Sequence, residues 1–257
     1  MRRPLFLVLG VLLSAGAAPA RGRVRLNVMS YNIHVGIGMD KKLDLARIAE
    51  VIKRSRADIV GLQEVDRGVE RTGRADEIRE LARLTGMDYA FAHNLDYQGG
   101  QYGVAVLSRF PILAIDHWRY ANRRERERRG FIRVEVEVGG RRLNFVTTHL
   151  DYQYADGREF ETEQLLKALA DIRGPLVVAG DFNEEPGGAA YRMMLKAGFA
   201  DAWANDGAPG LTYPADKPVK RIDYLFHRGL GDDVHADARV PDTLASDHRP
   251  VVVQFRL

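Results

Sequence analysis

The chain has 257 residues, 46% of them hydrophobic and 28% charged, with 38 Lys and Arg against 35 Asp and Glu and a formal charge of +3. That balance suits a soluble globular enzyme, and so small a net charge argues against a broad nucleic-acid-binding face. There is no cysteine, which excludes disulfides and a lipoprotein anchor.

At the N-terminus, Arg2 and Arg3 precede an apolar stretch from Leu5 to Leu13, and Ala18-Pro19-Ala20 places small residues before Arg21. This is the pattern of a secretory signal over residues 1–20. The apolar stretch is too short, and too interrupted by Gly and Ala, to span a bilayer. An exported protein, periplasmic or secreted, is therefore expected, with no integral span after cleavage. Losing Arg2 and Arg3 lowers the formal charge from +3 to +1. Residues 21–257 read as one catalytic domain, since no solenoid-period repeat and no Ser/Gly-rich linker divides them.

Val24 to Tyr31 alternates as a strand does and delivers Asn32, with His34 close behind. Leu45, Ile48, Ala49 and Ile52 recur at helical spacing. Asp58 to Leu62 reads as a buried strand ending in Gln63-Glu64, and a second helical face follows in Ile78, Leu81, Ala82 and Thr85. The run Arg123 to Arg129 interleaves Arg with Glu, as a solvated hairpin loop would. Its functional alternative is that Arg128 or Arg129, nearest the next strand, grips an anionic head group bidentately. Leu143 to Thr148 leads into His149, and Leu165, Ala168, Leu169 and Ile172 form a third helical face. Leu176 to Ala179 is a short buried strand whose Gly180 turn presents Asp181 and Asn183 on the lip of a sheet. A short helix is expected near Ala189 to Leu195. Arg221 to Phe226 carries Asp223 inside an apolar run, and Asp247-His248 stands at the entrance of Val251 to Val253.

Any one of these polar residues has an ordinary explanation. An acid at a strand end usually caps a helix or faces water in a turn, and a buried histidine usually serves the core. Asp223 fits that account poorly, because a buried carboxylate needs a partner or a metal. Six strand-like runs each delivering Asn, Glu, His or Asp is a pattern that single explanations do not cover.

The motifs SYNIH at 30–34, LQEV at 62–65, YGVAVLSRFPI at 102–112, TTHLD at 147–151, GDFN at 180–183, RIDYLF at 221–226 and SDHRPV at 246–251 stand in order along the chain. In them the chain resembles the endonuclease/exonuclease/phosphatase superfamily, metal-dependent hydrolases with the deoxyribonuclease-like fold. The resemblance implies an α/β fold, a four-layer α/β/β/α sandwich of two packed mixed sheets flanked by helices. It also implies Glu64, Asn32 and Asp247 as metal residues. His149, Asp181, Asn183, Asp223 and His248 then match catalytic positions, and Asn32 and Asn183, with Arg128 or Arg129, would bind substrate. An additional acid or tyrosine of the nuclease branches would be His93, Asp96 or Tyr102.

Oxygen donors without cysteine favour Mg²⁺, or Mn²⁺ or Ca²⁺, over zinc or copper. A metal-dependent phosphodiesterase or phosphatase acting on a small or lipid-derived phosphoester is the favoured expectation, as a monomer. The THLD form of the fourth motif resembles bacterial members and the branch linked to glycosylphosphatidylinositol-anchor remodelling. A secreted nuclease acting on DNA or RNA is the alternative, and a catalytically silent binding domain the third.

Overall fold

The computed structural model describes residues 24–122, 127–203, 208–230 and 235–257. The first sheet comprises β1 (Arg25–Asn32), β2 (Ile59–Arg67), β3 (Asp88–Tyr97), β4 (Gly100–Ser108), β11 (His235–Arg239) and β12 (Val251–Arg256), in the order β11-β12-β1-β2-β4-β3. The second comprises β5 (Ile112–Arg119), β6 (Gly130–Val138), β7 (Arg141–His149), β8 (Leu176–Asp181), β9 (Ala200–Asp201) and β10 (Asp223–Arg228), in the order β5-β6-β7-β8-β10-β9.

Strand alternation builds the layers. In β1, Val28 faces the core between the sheets, whereas its neighbour Met29 faces α1 (Leu45–Arg54) and α2 (Glu77–Thr85) on the outside. In β8, Val177 and Ala179 point inward while Leu176 and Val178 meet α3 (Ala155–Leu169) and α4 (Ala189–Lys196). The result is the expected α/β/β/α sandwich. Helix α3 begins ten residues before Leu165, the first residue of its apolar face in the sequence. Residues 1–20, the expected signal, and 123–126 of the arginine run lie outside the described residues.

Topology then decides where chemistry can gather. β1 and β2 are parallel neighbours, with Asn32 in register with Gln63. β7 and β8 are parallel too, and His149 is in register with Asp181. Each pair has an antiparallel neighbour that starts where it ends: β10 opens with Asp223 opposite Asp181, and β12 follows directly on the 246–250 segment. Strand ends bearing Asn32, Glu64, His149 and Asp181 and strand starts bearing Asp223 and Asp247-His248 therefore share one rim.

The two sheets are also tied through their centre. Gln63, fully buried, donates from Nε2 to Thr147 Oγ1 at 2.8 Å in the opposite sheet and to the Gly61 carbonyl at 3.2 Å. Gly61 allows this approach, since a Cβ there would sit 2.7 Å from Thr147 Oγ1 and 2.9 Å from the Ala179 Cβ. Gly61→Val should therefore cost about 1–3 kcal/mol through overpacking, measured by urea unfolding; wild-type stability would contradict so close a contact.

Candidate active site

The rim opens into a cleft of about 960 Å³. Glu64 reaches it by a local irregularity. The β2–β4 register runs from Leu62 opposite Ala105 to Val65 opposite Gly103, so one extra residue bulges out of β2. Glu64 sits on that bulge with a left-handed backbone (φ 56°). It turns its carboxylate to the rim while Gln63 stays buried between the sheets. Asn32 Nδ2 donates to Glu64 Oε1 at 3.0 Å and to Asp181 Oδ2 at 3.0 Å, joining an acid from each sheet. The Asn183 N–H donates to Asp181 Oδ1 at 2.9 Å, with Asn183 also left-handed (φ 49°).

Asp181 is buried, and its carboxyl is raised to about 7, first by burial and then by the repulsion of Asp223. His248 Nδ1 lies 2.9 Å from Asp223 Oδ2, and its Nε2 3.7 Å from Asp181 Oδ2. Burial alone would push this imidazole down; Asp223, Asp181 and Asp247 outweigh it and hold the pKa at about 10. His248 is thus the charged histidine, fixed by Asp223 behind it, with the Tyr213 ring tilted against it at a centroid distance of 4.8 Å.

His149 is the opposite case. Burial, the Arg129 guanidinium and the charge on His248 all push it well below the usual histidine range, so it is neutral. Arg129 Nη1 bonds its Nδ1. A guanidinium only donates, which leaves the lone pair on Nδ1 and the proton on Nε2. That N–H lies 3.4 Å from Asp181 Oδ2, and Asn183 Nδ2, 3.0 Å from the same nitrogen, donates to the Leu150 carbonyl at 3.0 Å.

Behind the rim, two glutamates repeat one device. Glu77 in α2 accepts the Asp66 N–H at 2.7 Å, and Glu161 in α3 accepts the Asp151 N–H at 2.7 Å; both are fully buried. Each accepts from the residue two places after a rim side chain, Glu64 in one sheet and His149 in the other. Each therefore pins the exit of its strand.

Glu64, His149, Asp181, Asn183, Asp247 and His248 all line the cleft, while Asn32 and Asp223 stand just behind it bonded to lining residues. The two arginines part company. Arg129 is buried, lines the cleft and pairs with Glu127 at 3.1 Å as well as with His149. Arg128 is exposed and does not line the cleft, although Glu127 and Arg129 on either side of it do. Glu127, expected in a solvated loop, lines the cleft instead. Of the three candidates left open, Tyr102 lines the cleft, whereas His93 and Asp96 pair with each other at 3.0 Å outside it. Sequence reasoning missed Arg71, Tyr152, Arg158, Tyr213 and Lys220, all cleft-lining.

A divalent cation fits the donor set. Glu64, Asp247 and Asn32 offer hard oxygens and no sulfur. Ligand atoms of Asp181, Asp223 and His248 also lie within 4.8 Å of one another. In that trio His248 Nδ1 already bonds Asp223, so it is a hydrogen-bonded chain rather than a set of open ligands.

In metal-free protein followed by ¹⁵N NMR, the His149 ring should stay neutral with its proton on Nε2 through the range near pH 6.5 in which an ordinary histidine charges. Removing the neighbouring cation with Arg129→Gln should raise its pKa, so that it charges at higher pH than in the wild type. A wild-type ring that protonates near pH 6.5, or carries its proton on Nδ1, would contradict the arrangement.

The model of the Endonuclease/Exonuclease/phosphatase family matches residues 29–248. The chain is similar to the Escherichia coli protein YbhP, 28% identical over 250 residues that cover 90% of this chain and 96% of that one. It is 25% identical to a Drosophila melanogaster protein named putative neutral sphingomyelinase, over 91% of this chain and 61% of that one. An endonuclease/exonuclease/phosphatase from Beutenbergia cavernae superposes with a TM-score of 0.72 at 25% identity, covering 91% of this chain and 72% of its own. With its motifs on one rim of a two-sheet sandwich and a family match spanning most of its length, the chain belongs to the endonuclease/exonuclease/phosphatase family and is a phosphoric ester hydrolase.

Proposed function

We propose that the protein is an exported, Mg²⁺-dependent hydrolase of a small or lipid-derived phosphodiester or phosphomonoester. The observation that carries the substrate class is the charge of the cleft wall. Glu127, Glu184 and Glu185 are set among Arg71, Arg129, Arg158 and Lys220. A duplex needs several phosphate-neutralising cations on one face, whereas this wall is balanced and suits a small anionic ester. Export is supported by the charged, apolar and small-residue sections of residues 1–20.

Glu64 and Asp247, with Asn32, would hold the ion, which when bound supplies Lewis acidity at a phosphoryl oxygen. Asp181 accepts the proton of the attacking water, with Asn32 and the Asn183 N–H holding its two oxygens in place. The His149 Nε2–H and the Asn183 carboxamide donate to equatorial oxygens, and His248, positively charged and held by Asp223, offsets the negative charge that builds there. Little covalent work falls to the protein, so positioning and electrostatics dominate.

The test is a substrate panel with Mg²⁺ or EDTA: p-nitrophenyl phosphate, bis(p-nitrophenyl) phosphate, soluble and vesicle-borne phosphoesters, and plasmid DNA. Turnover of the small or lipid esters, abolished by EDTA, is expected. Glu64→Gln should lower it by about three orders of magnitude, the equivalent of about 4 kcal/mol, with the fold intact. Plasmid nicking at nanomolar protein with no turnover of the esters would assign a nuclease instead.

A further inference from the structure

One arm of the cleft wall is built from Arg71, Tyr97 and Tyr102. Arg71 belongs to the loop after β2, yet it is fixed on two sides. Its Nε and Nη2 donate to the two oxygens of the fully buried Asp66 at 2.7 and 2.9 Å. Thr72 Oγ1 holds the same carboxylate at 3.3 Å. The guanidinium carbon lies 4.7 Å from the Tyr97 ring centroid and 5.3 Å from that of Tyr102. Among the described residues Nη1 has no hydrogen-bond partner, and the side chain remains 34% exposed. A guanidinium whose fork and ring contacts are already fixed loses little freedom when its last edge meets an acceptor.

The tyrosines matter for a second reason. Aromatic faces with a nearby carboxylate are what a quaternary ammonium seeks. In this arm Tyr97 and Tyr102 already carry Arg71, and Tyr152 carries Arg129 at 5.8 Å. A cationic head group would meet guanidinium ions where it needs open rings. An oxyanion in the plane of Arg71 would meet a free N–H donor in a partly desolvated wall, the setting in which charge-assisted hydrogen bonds are strongest.

We propose that this arm is a second anion subsite, in which Arg71 receives a phosphate or comparable oxyanion on the alcohol portion of the substrate. Asp66 acts through Arg71 as its positioning residue. The subsite favours polyol phosphoesters that bear a further phosphate and disfavours choline esters. It rests on the phosphoester-hydrolase function proposed above and narrows its substrate class. Free polyol phosphates and lipid head groups share this chemistry.

The experiment compares kcat/KM for glycerophosphocholine, glycerophosphoinositol and glycerophosphoinositol 4-phosphate, and for vesicles of the matching phospholipids. In the wild type the ester with the second phosphate should exceed the choline ester by about tenfold or more. Whichever series shows the ratio identifies the free or the lipid source. Arg71→Gln should collapse the ratio mainly through KM for the ester with the second phosphate, with a smaller effect on p-nitrophenyl phosphate, which has no second anion. Arg71→Lys keeps a charge for Asp66 but loses the fork, so it should lose most of the preference even if Arg71→Gln fails to fold. An unchanged ratio in a folded variant, or a wild type that prefers choline esters, overturns the subsite. If no ester is turned over, the hydrolase function fails and the subsite is judged by calorimetry with inositol 1,4-bisphosphate. Binding by the wild type that Arg71→Gln loses supports it, and equal or absent binding overturns it.

Discussion

The site depends on one buried carboxamide. Asn32 Nδ2 bonds Glu64 in its own sheet and Asp181 in the other, its Oδ1 accepts the His34 N–H at 3.0 Å, and its backbone carbonyl accepts Ser246 Oγ at 2.8 Å. The two N–H donations of the side chain are therefore spent on joining segments that are far apart in sequence. An amide suits this position because it is neutral. A carboxylate there would add to the acid cluster, and an ammonium would compete with a divalent cation. A rigid, satisfied polar network of this kind specifies one arrangement, where a partly satisfied one would not.

Around Asn32 the charges are sorted rather than merely gathered. The two buried histidines of the cleft, His149 and His248, end in opposite charge states. His248 is surrounded by carboxylates and stays charged, whereas His149 is faced by an arginine and stays neutral. The site thereby holds one fixed cation and one neutral N–H donor within reach of Asp181. Arg129 contributes through its neighbour: paired with Glu127 and His149, it sets a tautomer and has little left with which to grip an anion. Arg71 is paired too, but with a carboxylate behind it, which leaves one edge facing the cleft.

Much of this was legible in the sequence because strand ends deliver chemistry in short cassettes. Asn32, Glu64, His149, Asp181, Asp223 and His248 each follow or open an apolar run, so period and position together marked them. The layer order was legible from the alternation of strand-like and helical patterns. What escaped was set by geometry that no local pattern carries. Glu77 and Glu161 look like solvent-face charges of amphipathic helices, and only tertiary packing buries them against the strand exits. Arg128 and Arg129 are indistinguishable as neighbours in a charge run, yet the fold buries one against the cleft and leaves the other exposed. Arg71, Arg158 and Lys220 lie in loops or on a helix start, where cations are ordinary and their convergence depends on how distant loops meet. The bulge at Glu64 was likewise unmarked, since neither glycine nor proline occupies it.

The claim that Asn32 aligns the metal-side acid with the catalytic acid is tested most directly by Mn²⁺ titration of Asn32→Ala against wild type in a calorimeter, with thermal unfolding as the control for folding. Losing the residue that orients Glu64 should weaken the ion by about 10- to 100-fold while the protein remains folded. Equal affinity in a folded Asn32→Ala protein would contradict the account.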